Sequence, residues 1–204
     1  MIVVVDFKMG NIRSVAKVLE RLKTKVKISS NANDIENADK LILPGVGHFG
    51  KGMENLQKLN LISCLTMKVT QEKTPVLGIC LGMHLFSKHS EEGNVNGLGW
   101  IDATVQKFNH PASQLNLKVP HIGWNSIKIL KNHYLLNGIN TEDSFYFLHS
   151  YYLSCHSDQN VICRTNYGID FDSAIASGNI YGLQFHPEKS HSQGITIIDN
   201  FLSL

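Results

Sequence analysis

One cysteine lies between two glycines in Gly78-Ile-Cys80-Leu-Gly82. The apolar run from Pro75 to Ile79 ends there, and a helical pattern begins at Leu81. A nucleophile on such a strand-to-helix elbow projects into the crevice, because flanking glycines let the backbone crowd the turn. Free N–H groups at a helix start also favour the thiolate, the form that attacks. The pattern predicts a cysteine nucleophile at position 80. Cys64, Cys155 and Cys163 lie far apart without such flanks and read as structural thiols.

A thiolate needs a group that takes up a proton and later returns it, and that group needs an orienting partner. His186 and Glu188 in Gly182-Leu-Gln-Phe-His186-Pro-Glu188-Lys-Ser190 suit these roles. In extended backbone, residues two apart point to one side, and Pro187 biases His186 towards that conformation. The residues alone leave open a plainer alternative, a strand-end histidine followed by a solvated carboxylate. With His191, the same segment has an H-x-E-x-x-H spacing, but zinc motifs of that form need a helix that Pro187 interrupts. No metal and no cofactor are expected. The loop Pro44-Gly-Val-Gly47 offers backbone N–H groups to an oxyanion, and its spacing fits neither a phosphate loop nor a dinucleotide fingerprint.

The elements that position these residues alternate in type through the first half. Ile2–Val5, Val26–Ile28, Lys40–Pro44 and Pro75–Ile79 read as short strands. A helix capped by Asn11 follows the first, a helical stretch over about 51–72 breaks near Asn60, and a third helix is expected over 81–89. The second half carries strand-like runs at 100–108, 122–130, 145–154, 161–165, 173–176 and 180–185, with a closing helix over 193–202. The predicted fold is α/β: a mostly parallel central sheet flanked by helices, with added antiparallel strands in the second half. Ligands of such sheets sit beyond the carboxyl ends of the strands, which directs attention to the loops after Val5, Leu43 and Ile79.

Composition bounds the rest. The 204 residues suit one domain, expected to span 1–204, and a 43% hydrophobic share supports a real core. Nineteen basic against seventeen acidic residues leave a formal charge of +2, too mild to suggest a nucleic-acid partner. No apolar run approaches the roughly 18 residues of a membrane span, and the N-terminal run stops at Asp6. Four scattered cysteines without a CxxC pair fit free thiols in the cytoplasm.

Seven segments then form a recognisable order: Asp6-Phe-Lys-Met-Gly-Asn11, Pro44-Gly-Val-Gly47, Gly78-Ile-Cys-Leu-Gly-Met83, Ser90-Glu-Glu-Gly93, Pro120-His-Ile-Gly-Trp-Asn125, His149-Ser-Tyr151 and Gly182 to Ser190. Together they resemble the class I (triad) glutamine amidotransferases, and within that class the family of imidazole glycerol phosphate synthase glutaminase subunits. The resemblance implies a Cys80–His186–Glu188 triad that hydrolyses glutamine to glutamate and ammonia. It implies an oxyanion site formed by the backbone around Val46 and by the Leu81 N–H. Gly45, Gly47, His84, Glu92, Ser150 and Tyr151 match the glutamine pocket. Asn11, Trp124, Tyr146 and Lys189 match a face towards a (β/α)₈-barrel cyclase, which would receive the ammonia for histidine biosynthesis. Two positions depart from the pattern: His84 stands where glutamine is usual, and Lys8 where glycine is usual. Lys8 leaves open a paralogue that feeds a surface-sugar amidotransferase. A non-catalytic docking subunit is a further alternative.

Overall fold

The computed structural model describes residues 1–109 and 117–204. The chain runs through β1 (Ile2–Val5), α1 (Ile12–Arg21), β2 (Val26–Ser29), α2 (Ala32–Glu36), β3 (Lys40–Gly45), α3 (Phe49–Lys58), α4 (Ile62–Thr66), β4 (Val76–Cys80) and α5 (Leu81–His84). Then follow β5 (His89–Ser90), β6 (Val95–Asn96), β7 (Ala103–Lys107), β8 (His121–Ser126), β9 (Lys128–Ile129), β10 (Ser144–His149), β11 (Tyr151–Cys155), β12 (Val161–Asn166), β13 (Asp170–Ser177), β14 (Ile180–Leu183) and α6 (His191–Leu202).

The central sheet has the order β2-β1-β3-β4-β14-β13-β12-β9. Its first five strands are mutually parallel and the last three are added antiparallel, as the sequence predicts. β1 and β4 are buried along their whole length, because helices cover both faces. Alternation sorts their side chains: Val4, Ile42, Leu77, Ile79 and Leu183 pack with Leu19 of α1 and Ile197 and Phe201 of α6. Val3, Val5, Leu41, Leu43 and Val76 pack with Leu56, Leu65 and Met83 on the other side. β2 lies at the edge, and Lys25 and Lys27 beside its few apolar residues keep that edge solvated.

The stretch over 51–72 breaks at Asn60 as expected, where φ is 55°, and α4 continues into a π-helical turn at Met67–Gln71. Three expectations change in detail. The helix after Cys80 is a single turn rather than reaching residue 89. Leu85 and Ser87 give their carbonyls to the N–H groups of Leu98 and Gly99, and Lys88 donates to Ala103, so the ladder is captured by distant chain. The run 145–154 bends at Ser150 into strands of two different sheets, β10 pairing β8 and β11 pairing β7. Asn11 does not cap α1: it has φ 59° and makes no side-chain capping bond.

Candidate active site

The parallel strands deliver their carboxyl ends to one edge of the sheet. Registers Gly45↔Cys80 and Leu183↔Ile79 set the 45–47 loop and the 184–190 segment on either side of Cys80. Cys80 itself has φ 53° and ψ −109°, a conformation that non-glycine residues adopt only where the surrounding fold imposes it. The imposing contact is close packing beneath the elbow. A Cβ on Gly82 would lie 1.7 Å from the Leu43 carbonyl oxygen, and one on Gly78 would lie 2.6 Å from the Met83 nitrogen. The two glycines allow the elbow to sit directly on β3 and β4.

The 186–190 segment is fixed by three hydrogen bonds. The His186 N–H donates to Tyr146 O at 2.8 Å, the Tyr146 N–H to Ser190 Oγ at 3.0 Å, and the Ser190 hydroxyl to His186 O at 2.6 Å. Pro187 opens a single 3₁₀ turn through Lys189, so Glu188 returns to His186 by a turn rather than by an extended strand. His186 Nδ1 then lies 2.8 Å from Glu188 Oε1, with both side chains wholly buried. The buried Nε2 has no fixed hydrogen-bond partner among the described residues, and the Cys80 side chain is beside it. Burial lowers the His186 pKa, but the Cys80 sulfur and the Glu188 carboxylate outweigh it and push it up to about 10. His186 is therefore favoured as the imidazolium. Asn11 completes the group by donating from Nδ2 to Glu188 Oε1, which ties the loop after β1 to the acidic member.

Beside the sulfur is a cavity of about 50 Å³ lined by Gly47, Leu81, His84, Glu92, Ser150 and Tyr151. Glu92 accepts from the Phe49 N–H at 2.7 Å, the start of α3, which aims its carboxylate. Gly45, expected in the pocket, ends β3 in register with Cys80 and does not line the cavity. The Val46 N–H, expected at the oxyanion, instead donates to Met9 O at 2.8 Å. Its peptide must turn before it can serve an oxyanion.

Trp124, Tyr146 and Lys189 form one exposed cluster, with the Lys189 ammonium 5.4 Å from the Tyr146 ring centroid and Trp124 stacked on His191 at 4.8 Å. Trp124 is 46% exposed, so it is not a core residue. Gln184, absent from the residues that the sequence pattern singles out, is buried with its Nε2 3.9 Å from the Cys80 sulfur. Its signal was a polar residue within the apolar run 180–185. Equally absent are His121 and His149, whose Nδ1 and Nε2 lie 3.0 Å apart in the core.

These histidines set the acid limit of the fold. Burial pushes His84 and His121 each down to about 4 and His149 well below its ordinary value. Such groups are neutral when folded and take up protons on unfolding, so stability present above pH 6.5 is lost as pH falls towards 4, at about 1.4 kcal/mol per pH unit for each. His186 has the opposite sign: its contribution is complete below pH 6.5 and is lost as pH rises through 10. Urea midpoints measured from pH 4.5 to 9.5 are expected to peak near neutrality and fall steeply below pH 6. A flat acid limb would contradict this.

The family profile for class I glutamine amidotransferases matches residues 3–204. A relative from Methanococcus maripaludis, named imidazole glycerol phosphate synthase subunit HisH 2, is 45% identical over 99% of this chain and 98% of its own. A Pseudomonas aeruginosa protein of the same name is 45% identical over the full length of both chains. Among solved structures, a putative GMP synthase component from Thermoplasma acidophilum superposes with TM-score 0.74 at 20% identity, over 99% of this chain and 92% of that one. A further glutamine amidotransferase structure gives TM-score 0.76 at 18% identity, over 98% and 97%. At such identities the structures speak for the fold, and the profile and the close relatives speak for the family. With a cysteine elbow, a buried His–Glu pair and a match over nearly its whole length, the chain belongs to the class I glutamine amidotransferases.

Proposed function

We propose that this chain is the glutaminase subunit of an imidazole glycerol phosphate synthase and passes ammonia to a (β/α)₈-barrel cyclase. The observation that carries the chemistry is the buried His186–Glu188 pair beside the strained Cys80 elbow. The Cys80 thiolate adds to the side-chain carbonyl carbon of glutamine, and the oxygen takes the negative charge. His186 gives its proton to the departing ammonia, which leaves a glutamyl thioester. Water then attacks the thioester, passing a proton to His186; glutamate departs as its bond to sulfur breaks. The Leu81 N–H, and the backbone around Val46 once turned, hold the oxyanion, and Glu92, Ser150 and Tyr151 hold glutamine. The engaged Val46 N–H fits a subunit that is weakly active alone and is stimulated by its partner. Asn11, Trp124, Tyr146 and Lys189 are assigned to the partner face, and the cytoplasm suits four unpaired thiols.

Glu188→Gln removes the buried charge while keeping the shape. Turnover is expected to fall roughly 10²–10⁴-fold with little change in KM, by analogy with other orienting carboxylates. Steady-state ammonia release with the partner present checks this.

Lys8 favours a second reading. It holds φ 64° and pairs with Asp6, so a side chain is retained in a conformation that suits glycine, beside the partner face. This departure from glycine motivates the reading of a paralogue that serves a surface-sugar amidotransferase. Co-purification with each candidate partner, followed by ammonia release in the complex, separates the two. Stimulation by the barrel cyclase supports the first reading, and stimulation by the sugar enzyme alone overturns it.

A further inference from the structure

His84 lines the cavity beside the sulfur, but its ring is engaged behind it. It is 4% exposed, and its Nε2 lies 2.7 Å from Gln184 Oε1. Burial, opposed by this hydrogen bond, pushes its pKa down to about 4, so the ring is neutral at pH 7. An amide oxygen only accepts, so Nε2 must carry the ring's single proton. Gln184 is itself fully buried, and its two ends have different neighbours: Oε1 meets His84 and Nε2 meets the Cys80 sulfur at 3.9 Å. On another side the sulfur faces an acceptor, Leu148 O at 3.7 Å, which suits the protonated thiol.

We propose that His84 is a positioning residue that locks the Gln184 amide with its N–H towards the sulfur, and that Gln184 is thereby a catalytic residue favouring the Cys80 thiolate. Reversing the amide would set its oxygen against the thiolate, a repulsive contact in a dry site, and would require His84 to shift its single proton from Nε2 to Nδ1. The departure from the usual glutamine at position 84 thus acts on the nucleophile and not on the substrate. The inference rests on the glutaminase reading for its kinetic arm only, because thiol reactivity can be measured without glutamine.

The test is alkylation of Cys80 by iodoacetamide against pH in the full chain, followed by mass spectrometry of the Cys80 peptide. Cavity-lining His149, Glu92 and Tyr151 and the triad's His186 are the other titratable groups nearby, and none is changed. His84→Leu is expected to raise the midpoint of the alkylation profile by about one pH unit, a roughly tenfold slower reaction at pH 7. In the partner-bound enzyme it lowers kcat by a similar factor with KM within about twofold. His84→Gln, which can donate to the same oxygen, restores both. If His84→Leu does not accumulate as folded protein, Gln184→Met carries the same comparison and the same expected shift. An unchanged alkylation profile overturns the proposal, and a raised KM for glutamine beside it returns His84 to the substrate pocket. Absence of glutaminase activity in the unsubstituted chain with its partner, beside a shifted His84→Leu profile, counts against the glutaminase reading and leaves the proposal standing.

Discussion

Cys80→Ala is expected to abolish ammonia release from glutamine, by at least about 10⁴-fold, while leaving the fold and partner binding intact. The size follows from removing the atom that forms the covalent intermediate; His186 and the oxyanion donors alone retain only weak catalysis through water. The other three thiols cannot substitute. Burial, helped by the nearby Asp172 carboxylate, pushes Cys155 up to about 12, and burial pushes Cys163 up to about 12 and raises Cys64. Each is therefore held as the unreactive thiol at pH 7. Cys155→Ser is the matching control, expected to change turnover by less than about twofold. Steady-state glutamate release in the complex, with circular dichroism of each variant, checks both.

Gly82→Ala gives the largest expected loss of stability from a single methyl group. Its Cβ would lie 1.7 Å from the Leu43 carbonyl oxygen and 2.7 Å from its carbon, both backbone atoms of the central strand β3. Neither can move without breaking the β3–β4 pairing that sets the elbow. A loss of about 3–5 kcal/mol is expected, a large part of the roughly 5–15 kcal/mol that holds an ordinary domain. Any folded remainder would have the sulfur displaced from its partners, and about 1 Å of misplacement is worth roughly 10²-fold in rate. Gly178→Ala separates crowding from backbone strain. Gly178 has φ 58°, but nothing lies within 4 Å of its Cβ position. It is expected to lose only about 1–2 kcal/mol. Equal urea midpoints for the two variants would show that the elbow is not packed as described.

What the sequence disclosed was local, and what it withheld depended on distant chain. Four β-branched or aliphatic residues at Ile2–Val5 announce a strand buried on both faces, and the alternation of such strands with helices carried the α/β class correctly. The elbow was legible because its glycines flank the cysteine directly. The early stop of α5 was not legible, since the competing donors are Leu98 and Gly99, beyond any helical window. The bend at Ser150 was missed for a similar reason: the two halves of one apolar run pair with β8 and β7. Asn11 shows the same limit at the site. Its position before a helical pattern suggests a cap, yet its amide is drawn to Glu188, 177 residues away. Gln184 was visible as a polar residue among apolar neighbours, but its partners became apparent only when β14 was set beside β4.

The most direct measurement is chemical trapping of the proposed intermediate. The complex with the proposed barrel cyclase is mixed with glutamine, acid-quenched during turnover and digested for mass spectrometry. The account predicts a glutamyl adduct on the peptide that contains Cys80 and on no other cysteine peptide, and its absence from Cys80→Ala. Steady turnover with the adduct on a different residue, or with no adduct at any quench time, would contradict nucleophilic attack by Cys80.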